Sequence, residues 1–207
     1  MPPSNVLPPA APPTLGAEGR ILEGIVTTLN ANGSANISPM GPIVDDSLDR
    51  LWLRPFRTST TYQNLRRAPV GVFHVTDDVE LLAAAAIGRP DPLPRLVQVE
   101  KIDGVILADA CRWYAFETEL LDDAAERTNI VARVIDRGVL RDFFGFNRAK
   151  HAVLEAAILA TRVHLIDARE IQAEFDRLSI PIQKTGAAAE HRAFSFLRQY
   201  IERAINP

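Results

Sequence analysis

Cysteine is all but missing from this sequence: Cys111 stands alone in 207 residues, which excludes an internal disulfide and a thiolate metal quartet. Glycine is also scarce, and no two of the 11 glycines are separated by a single residue, so the G-x-G-x-x-G dinucleotide fingerprint is absent. GxxxxGK[ST], CxxC and GxSxG are absent too, and His74, His151, His164 and His191 are scattered without HExxH spacing. No uncharged apolar window is long enough to span a bilayer. The start, MPPSNVLPPAAPPT, lacks the basic region and apolar run of a signal peptide. An excess of positive charge is missing as well. The formal net charge of -3 argues against life on a nucleic-acid backbone, which demands a field of unpaired Lys and Arg, though it allows a local basic pocket. These absences predict a cytoplasmic protein that binds neither nucleic acid nor membrane. Any reactive centre is expected to belong to a cofactor that the chain positions.

With 47% hydrophobic residues, the chain has material for a sizeable core. Residues 1–17 are rich in Pro and Ala and read as a tail. Alternating and β-branched runs predict strands over 21–29, 35–44, 48–56, 70–76, 95–99, 111–121 and 130–135. The first hairpin turns at Asn30-Ala31-Asn32-Gly33. Short helices are expected from Thr60, with Thr60 and Gln63 as a capping box, and over VELLAAAAIG, with Asp77 and Asp78 as caps and Gly88 as stop. After Gly145 the period changes. Ala149, Ala152, Val153, Ala156, Ala160 and Val163 share one helical stripe, predicting a helix from Asn147 to about Ile166. Two more helices follow, one capped by Asp167 and running to about Leu178, the other over 189–204. The expected fold is α+β, a barrel over 18–146 followed by a small helical domain over 147–207.

The stretch LWLRPFRTSTTYQNLRRA, 51–68, carries the strongest chemical signal. A strand ends at Pro55, four hydroxyl residues follow (Thr58, Ser59, Thr60, Thr61), and a helix begins whose first amides have no intrahelical acceptor. Arg54 and Arg57 flank the junction, and guanidinium groups bind phosphate through paired hydrogen bonds. Two readings stand at this point: a phosphate site at a helix start, or simple capping beside surface arginines.

NGSANISPMG (32–41), LWLRPFRTSTTYQNL (51–65), FHVTDDVELLAAAA (73–86) and FNRAKHAVLEAAILATR (146–162) together resemble the DUF447 family, whose members resemble the flavin reductase-like, FMN-binding split barrels. The resemblance implies a six-stranded split barrel that forms a homodimer, with FMN near the interface. It implies that Arg54, Thr58, Ser59, Thr60, Thr61 and Asn64 surround the phosphate, and that Asn36, Ser38, Pro39, Met40 and Gly41 run along the isoalloxazine edge. Arg148, Lys150 and His151 carry two readings, an approach by one of them to the flavin or a substrate anion, within the chain or across the dimer, or an exposed helix face with His151 and Glu155 paired. Lys184-Thr185-Gly186 is either a lid or a turn. Met40 and Trp52 are either core residues or ring contacts. His74 is a satisfied structural histidine or a group on the outer barrel face. The implied activity is flavin-dependent hydride or electron transfer, with a nicotinamide nucleotide as a donor; the alternative is a flavin or phosphorylated-ligand binding module without turnover. No catalytic acid or base is assigned.

Overall fold

The computed structural model describes residues 11–88 and 90–205; residues 1–10 of the expected tail and Arg89 lie outside the described residues. The elements in chain order are β1 (Arg20–Ile21), β2 (Gly24–Leu29), β3 (Ala35–Met40), β4 (Ile43–Val44), β5 (Arg50–Leu53), α1 (Thr60–Arg67), β6 (Val70–Val75), α2 (Val79–Ala86), β7 (Leu96–Gln98), β8 (Val105–Leu107), β9 (Arg112–Asp122), β10 (Asn129–Val139), α3 (Arg148–Ala160), α4 (Ala168–Thr185) and α5 (Ala188–Ile205). One eight-stranded sheet runs in the order β1-β4-β5-β10-β9-β6-β2-β3, and β7 pairs with β8 in a second sheet. The large sheet curls as a split barrel without closing, since β1 and β3 stand at its two ends with no ladder between them. β3 is thus an edge strand, which is why Pro39 is tolerated within it.

Both faces of the sheet are covered, so strand residues that alternate in direction are buried on either side. Val26, Leu51, Leu53, Phe73, Phe116 and Ile130 fill the concave side with Tyr62 and Leu65 of α1. Ile25 and Ile37 point the other way and join α2, α3, α4 and α5 in one continuous apolar cluster. The alanines of α3 (Ala149, Ala152, Ala156, Ala157 and Ala160) are all buried there. Small side chains let neighbouring helices approach closely. Trp52 is buried on the opposite side from Leu51 and Leu53, against Ile43 and Val131. Among the described residues no helix is long and apolar enough to cross a membrane.

Several expected elements differ in extent. The strand expected over 35–44 breaks at Gly41-Pro42 into β3 and β4. β10 runs four residues past the expected Ile135 because register shifts at Val131/Ala132 and Val134/Asp136 interrupt the alternation on which the sequence reading relied. β8 was not expected: its three residues are too few to show a period. α3 ends at Ala160, and residues 161–166 form turns. α4 continues to Thr185 through Pro181, held by burial of Ile182, which is 2% exposed.

His74 ties the two sheets together. It is fully buried, with Nδ1 3.1 Å from the Ile25 carbonyl and Nε2 accepting the Leu107 amide at 3.0 Å. The acceptor role of Nε2 puts the proton on Nδ1. Burial pushes its pKa down to about 4 despite the Ile25 bond. It is the satisfied structural histidine of the two readings. Close approach at this crossing requires Gly24, where a Cβ would lie 2.2 Å from the His74 carbonyl oxygen.

Candidate functional site

β5 ends where Pro55 removes a donor from the ladder. The chain then runs beside the β9–β10 turn: the Pro55 carbonyl accepts from Thr128 N at 3.0 Å and Thr128 Oγ1 at 2.7 Å, and Arg57 N donates to the Glu126 carbonyl at 2.9 Å. The turn into α1 closes with Ser59 N donating to the Phe56 carbonyl. The cap is Ser59, whose hydroxyl accepts the Tyr62 amide at 3.2 Å. This corrects the expected Thr60/Gln63 capping box. Thr60 is already helical, whereas Ser59 has the extended backbone an N-cap needs. Thr58 and Thr60 remain exposed at the helix mouth, beside the Thr60 and Thr61 amides that helix geometry leaves without intrahelical acceptors.

Asn36, Thr61 and Asn64 form a different arrangement beneath that mouth. Asn36 Nδ2 donates to Thr61 Oγ1 (3.1 Å) and Thr28 Oγ1 (3.2 Å), while Asn64 Nδ2 donates to Thr28 Oγ1 (3.0 Å) and Asn30 Oδ1 (2.9 Å). Thr28, Thr61 and Asn64 are buried. The network pins α1 onto the β2–β3 hairpin, so these side chains set where the helix points.

Arg127 meets Arg54 at the end of β5, and the charges of both Arg54 and Arg162 act on it. Arg54 Nε is buried with no hydrogen-bond partner. Arg127, from the β9–β10 turn, donates its Nε to the Arg54 carbonyl at 3.2 Å and lies 5.6 Å above the Phe56 ring. Arg162 lies just beyond α3, and burial, then the charges of Arg54 and Arg162, lower the pKa of Arg127. None of the three has a carboxylate partner among the described residues. Arg57 is oriented differently. With Arg66 it acts on Asp123, whose carboxyl is held below its ordinary range first by the 2.6 Å bond from the Tyr62 hydroxyl. Sequence reasoning singled out Arg54 and missed Arg127 and Arg162, which lie far from it in the chain and carry no local pattern.

Ser38, Pro39, Met40 and Gly41 follow Asn36 along the sheet edge, all half-buried. Met40 packs against the concave-side core. At Gly41 a Cβ would lie 2.6 Å from Ile21 Cγ2 and 2.9 Å from both Glu23 carboxylate oxygens, so glycine is what allows Glu23 to rest there. Burial, then the charge of Glu155 on α3, raises the Glu23 pKa. Glu23 is a further group that sequence reasoning did not name.

Within this chain Lys150 and His151 have partners of their own. They sit in the first turn of α3 and Arg162 follows its last, a separation of about 18 Å along a helical rise. Lys150 Nζ pairs with Glu190 at 3.0 Å and donates to the Asp77 carbonyl at 2.8 Å. His151 is exposed and meets the edge of Phe146 at 6.0 Å between centroids. Asp78 caps α2 as expected, accepting from Leu81 N at 3.0 Å. Asp77 does not: its carboxylate accepts from the Arg141 guanidinium and from Phe144 N at 2.7 Å, tying α2 to the segment before α3. Gly186 is the turn between α4 and α5, where its amide donates to Ile182 O at 2.9 Å, and Lys184 is exposed. Among the described residues, no group of His, Cys, Asp and Glu is suited to hold a metal ion.

This architecture has relatives. The N-terminal domain model of "Protein of unknown function (DUF447)" matches residues 22–141, and a second model of DUF447 matches residues 147–199. Among solved structures, an FMN-bound protein of the DUF447 family from Methanosarcina mazei is similar at 23% identity and a TM-score of 0.73, covering 87% of this chain and 94% of its own. Flavoredoxin from Methanosarcina acetivorans is similar at 9% identity and a TM-score of 0.50, covering 57% and 68%. Comparison with curated proteins finds no match.

Proposed function

We propose that this chain, which belongs to the DUF447 family, is an FMN-binding flavoprotein that holds the cofactor's phosphate at the start of α1 and its ring along β3. The observation that carries this reading is the buried, unpartnered Nε of Arg54 in the segment that leads into the N-terminus of α1. A dianionic phosphate fits that donor set. Arg54, the Thr58 and Thr60 hydroxyls and the amides of Thr60 and Thr61 would hold it, with Ser59 fixing the turn. Asn36, Thr61 and Asn64 act beneath them by orienting α1. Ser38, Pro39, Met40 and Gly41 would offer backbone polar groups and apolar contact to the ring. Bound FMN would supply hydride or electron transfer, and the chain's part is to bind it, orient it and set the polarity around it. The resulting activity is that of an oxidoreductase, with a nicotinamide nucleotide as a donor. The protein works as a homodimer in which a second copy covers Val139, Phe144 and Phe146, which are 68%, 72% and 96% exposed; apolar surface of this kind favours association.

A second reading, a flavin-binding module without turnover, is favoured by one observation: Lys150 is engaged by Glu190 and Asp77. Two measurements test these readings. A visible absorbance spectrum of the purified and FMN-reconstituted protein, with the released ligand identified by mass, is expected to show one FMN per chain; a folded protein that takes up no flavin overturns the assignment. Turnover of a reduced nicotinamide nucleotide by the loaded protein separates oxidoreductase from module.

A further inference from the structure

We infer that Thr128 is a positioning residue for the flavin phosphate, and that the β9–β10 turn to which it belongs sets the gap between Arg54 and the N-terminus of α1. This rests on the FMN reading and deepens it, giving Thr128 no contact with the cofactor itself. Proline lacks the N–H that a ladder needs. The pairing of β5 with β10 nevertheless continues in step past Pro55, from Leu53 opposite Ile130 to Phe56 opposite Arg127. Bonds from the turn make good the loss. Thr128 gives the Pro55 carbonyl two hydrogen bonds, one from its amide at 3.0 Å and one from its hydroxyl at 2.7 Å. The Glu126 carbonyl accepts the Arg57 amide at 2.9 Å, and Arg127 Nε donates to the Arg54 carbonyl at 3.2 Å. The backbone that carries the Arg54 side chain is therefore held at Arg54, Pro55 and Arg57 by one turn.

The same turn holds the helix. Tyr62 lies in the first turn of α1, and its hydroxyl donates to Asp123 Oδ2 at 2.6 Å. Asp123 directly follows β9 and Thr128 directly precedes β10, so one short turn grips the helix start at one end and the strand end bearing Arg54 at the other. Both donors, Tyr62 and Thr128, are buried, where a hydrogen bond is stronger than in water. The Thr128 hydroxyl is surplus to the ladder, because the Pro55 carbonyl already accepts the Thr128 amide, and valine would fill the same volume. What the second bond adds is a fixed orientation of the peptide next to Arg54. Arg54 Nε has no hydrogen bond to steer it, so the backbone beneath carries more of that task. A group held in place before its ligand arrives loses less freedom on binding.

The test is fluorescence titration with FMN and with riboflavin of the Thr128→Val, Thr128→Ser and Tyr62→Phe proteins, and of Thr128→Val combined with Arg54→Ala. Thr128→Val and Tyr62→Phe are each expected to weaken FMN about fivefold or more, as misplacement of a binding group does. Thr128→Ser, which restores the hydroxyl, should stay within about twofold of wild type, and riboflavin, which has no phosphate, within about twofold in all three. Thr128 acts through Arg54, so Thr128→Val should have no further effect on FMN once Arg54 is Ala, the coupling that a double-mutant cycle reads. A hydroxyl that merely stabilises the fold would not show that coupling. The inference is overturned, with the FMN reading left standing, if Thr128→Val binds FMN as wild type does, if its loss falls equally on riboflavin, or if the loss persists undiminished without Arg54. Tyr62→Phe, which keeps the packed ring, decides should Thr128→Val not fold: a loss confined to FMN upholds the role of the turn, and no loss or an equal loss for both flavins removes it. A folded wild-type chain that binds neither flavin overturns the FMN reading and the inference together.

Discussion

Arg54 and His74 show at the scale of single residues how burial assigns a role. Both have side-chain nitrogens removed from water; those of His74 are satisfied and the Nε of Arg54 is not. An unsatisfied buried donor costs free energy until something accepts from it. Replacing Arg54 with Ala is therefore expected to lower FMN affinity by about 1–3 kcal/mol, the range for a lost charge-assisted hydrogen bond, while riboflavin, which has no phosphate, binds as before. Fluorescence titration of the two flavins checks this, and an equal loss for both would transfer the effect to the ring. For His74, the folded pKa of about 4 lies below the ordinary 6.5, so the unfolded chain takes up a proton first as pH falls. Stability should hold above pH 6.5 and fall between 6.5 and 4, by up to about 3 kcal/mol from this group. The depressed carboxyls, Asp77 and Glu190 among them, lose their contributions at lower pH. Urea unfolding across that window is the measurement, with His74→Gln expected to flatten the curve.

At the scale of elements, the first turn of α3 is a junction. Asn147 caps the helix, accepting from Ala149 N and Lys150 N, and donates to the Thr185 carbonyl at the end of α4. Lys150 reaches α5 through Glu190 and the start of α2 through the Asp77 carbonyl. The Glu190 side chain is 5% exposed. Burial alone would raise its pKa, but the bonds from Lys150 and the Ala187 amide outweigh that and lower it. Removing one partner of so buried a pair leaves the other without its charge. Glu190→Ala is expected to destabilise the protein by about 3 kcal/mol, the low end of the usual range because the Asp77 carbonyl still accepts from Lys150. A denaturant midpoint shift without a change in slope is the signature.

On the scale of the whole molecule, sheet and helices share a core, since Ile25 and Ile37 lie in the same apolar cluster as Val153, Ile171 and Leu197. Among the exposed large apolar side chains, Val139, Leu140, Phe143, Phe144 and Phe146 fall in one short segment. The proposed dimer covers it. Phe144→Glu with Phe146→Glu is expected to convert a dimer to a monomer in light scattering after gel filtration, with the thermal unfolding of the barrel retained. A wild-type monomer at all concentrations would remove the proposal.

Much of this organisation is legible in the chain. The apolar and β-branched runs in 24–29 and 70–75, the turn at Asn30–Gly33 and the alanine stripe of α3 are local patterns that burial on one or both faces imposes on neighbouring residues. Arg54 and the hydroxyl run could be read for the same reason, because strand end, turn and helix start are adjacent in sequence. What the sequence by itself determined is thus most of the elements, their order and the run from Arg54 to Thr61 that leads into α1. Tertiary structure decided the rest. Bulges shift the register of β10, β8 exists only where it pairs with β7, Lys150 is claimed by Glu190, and Arg127 reaches the Arg54 carbonyl across a long stretch of chain. Periodicity records which way a side chain points from its own element, and it carries no term for which distant charge will stand opposite.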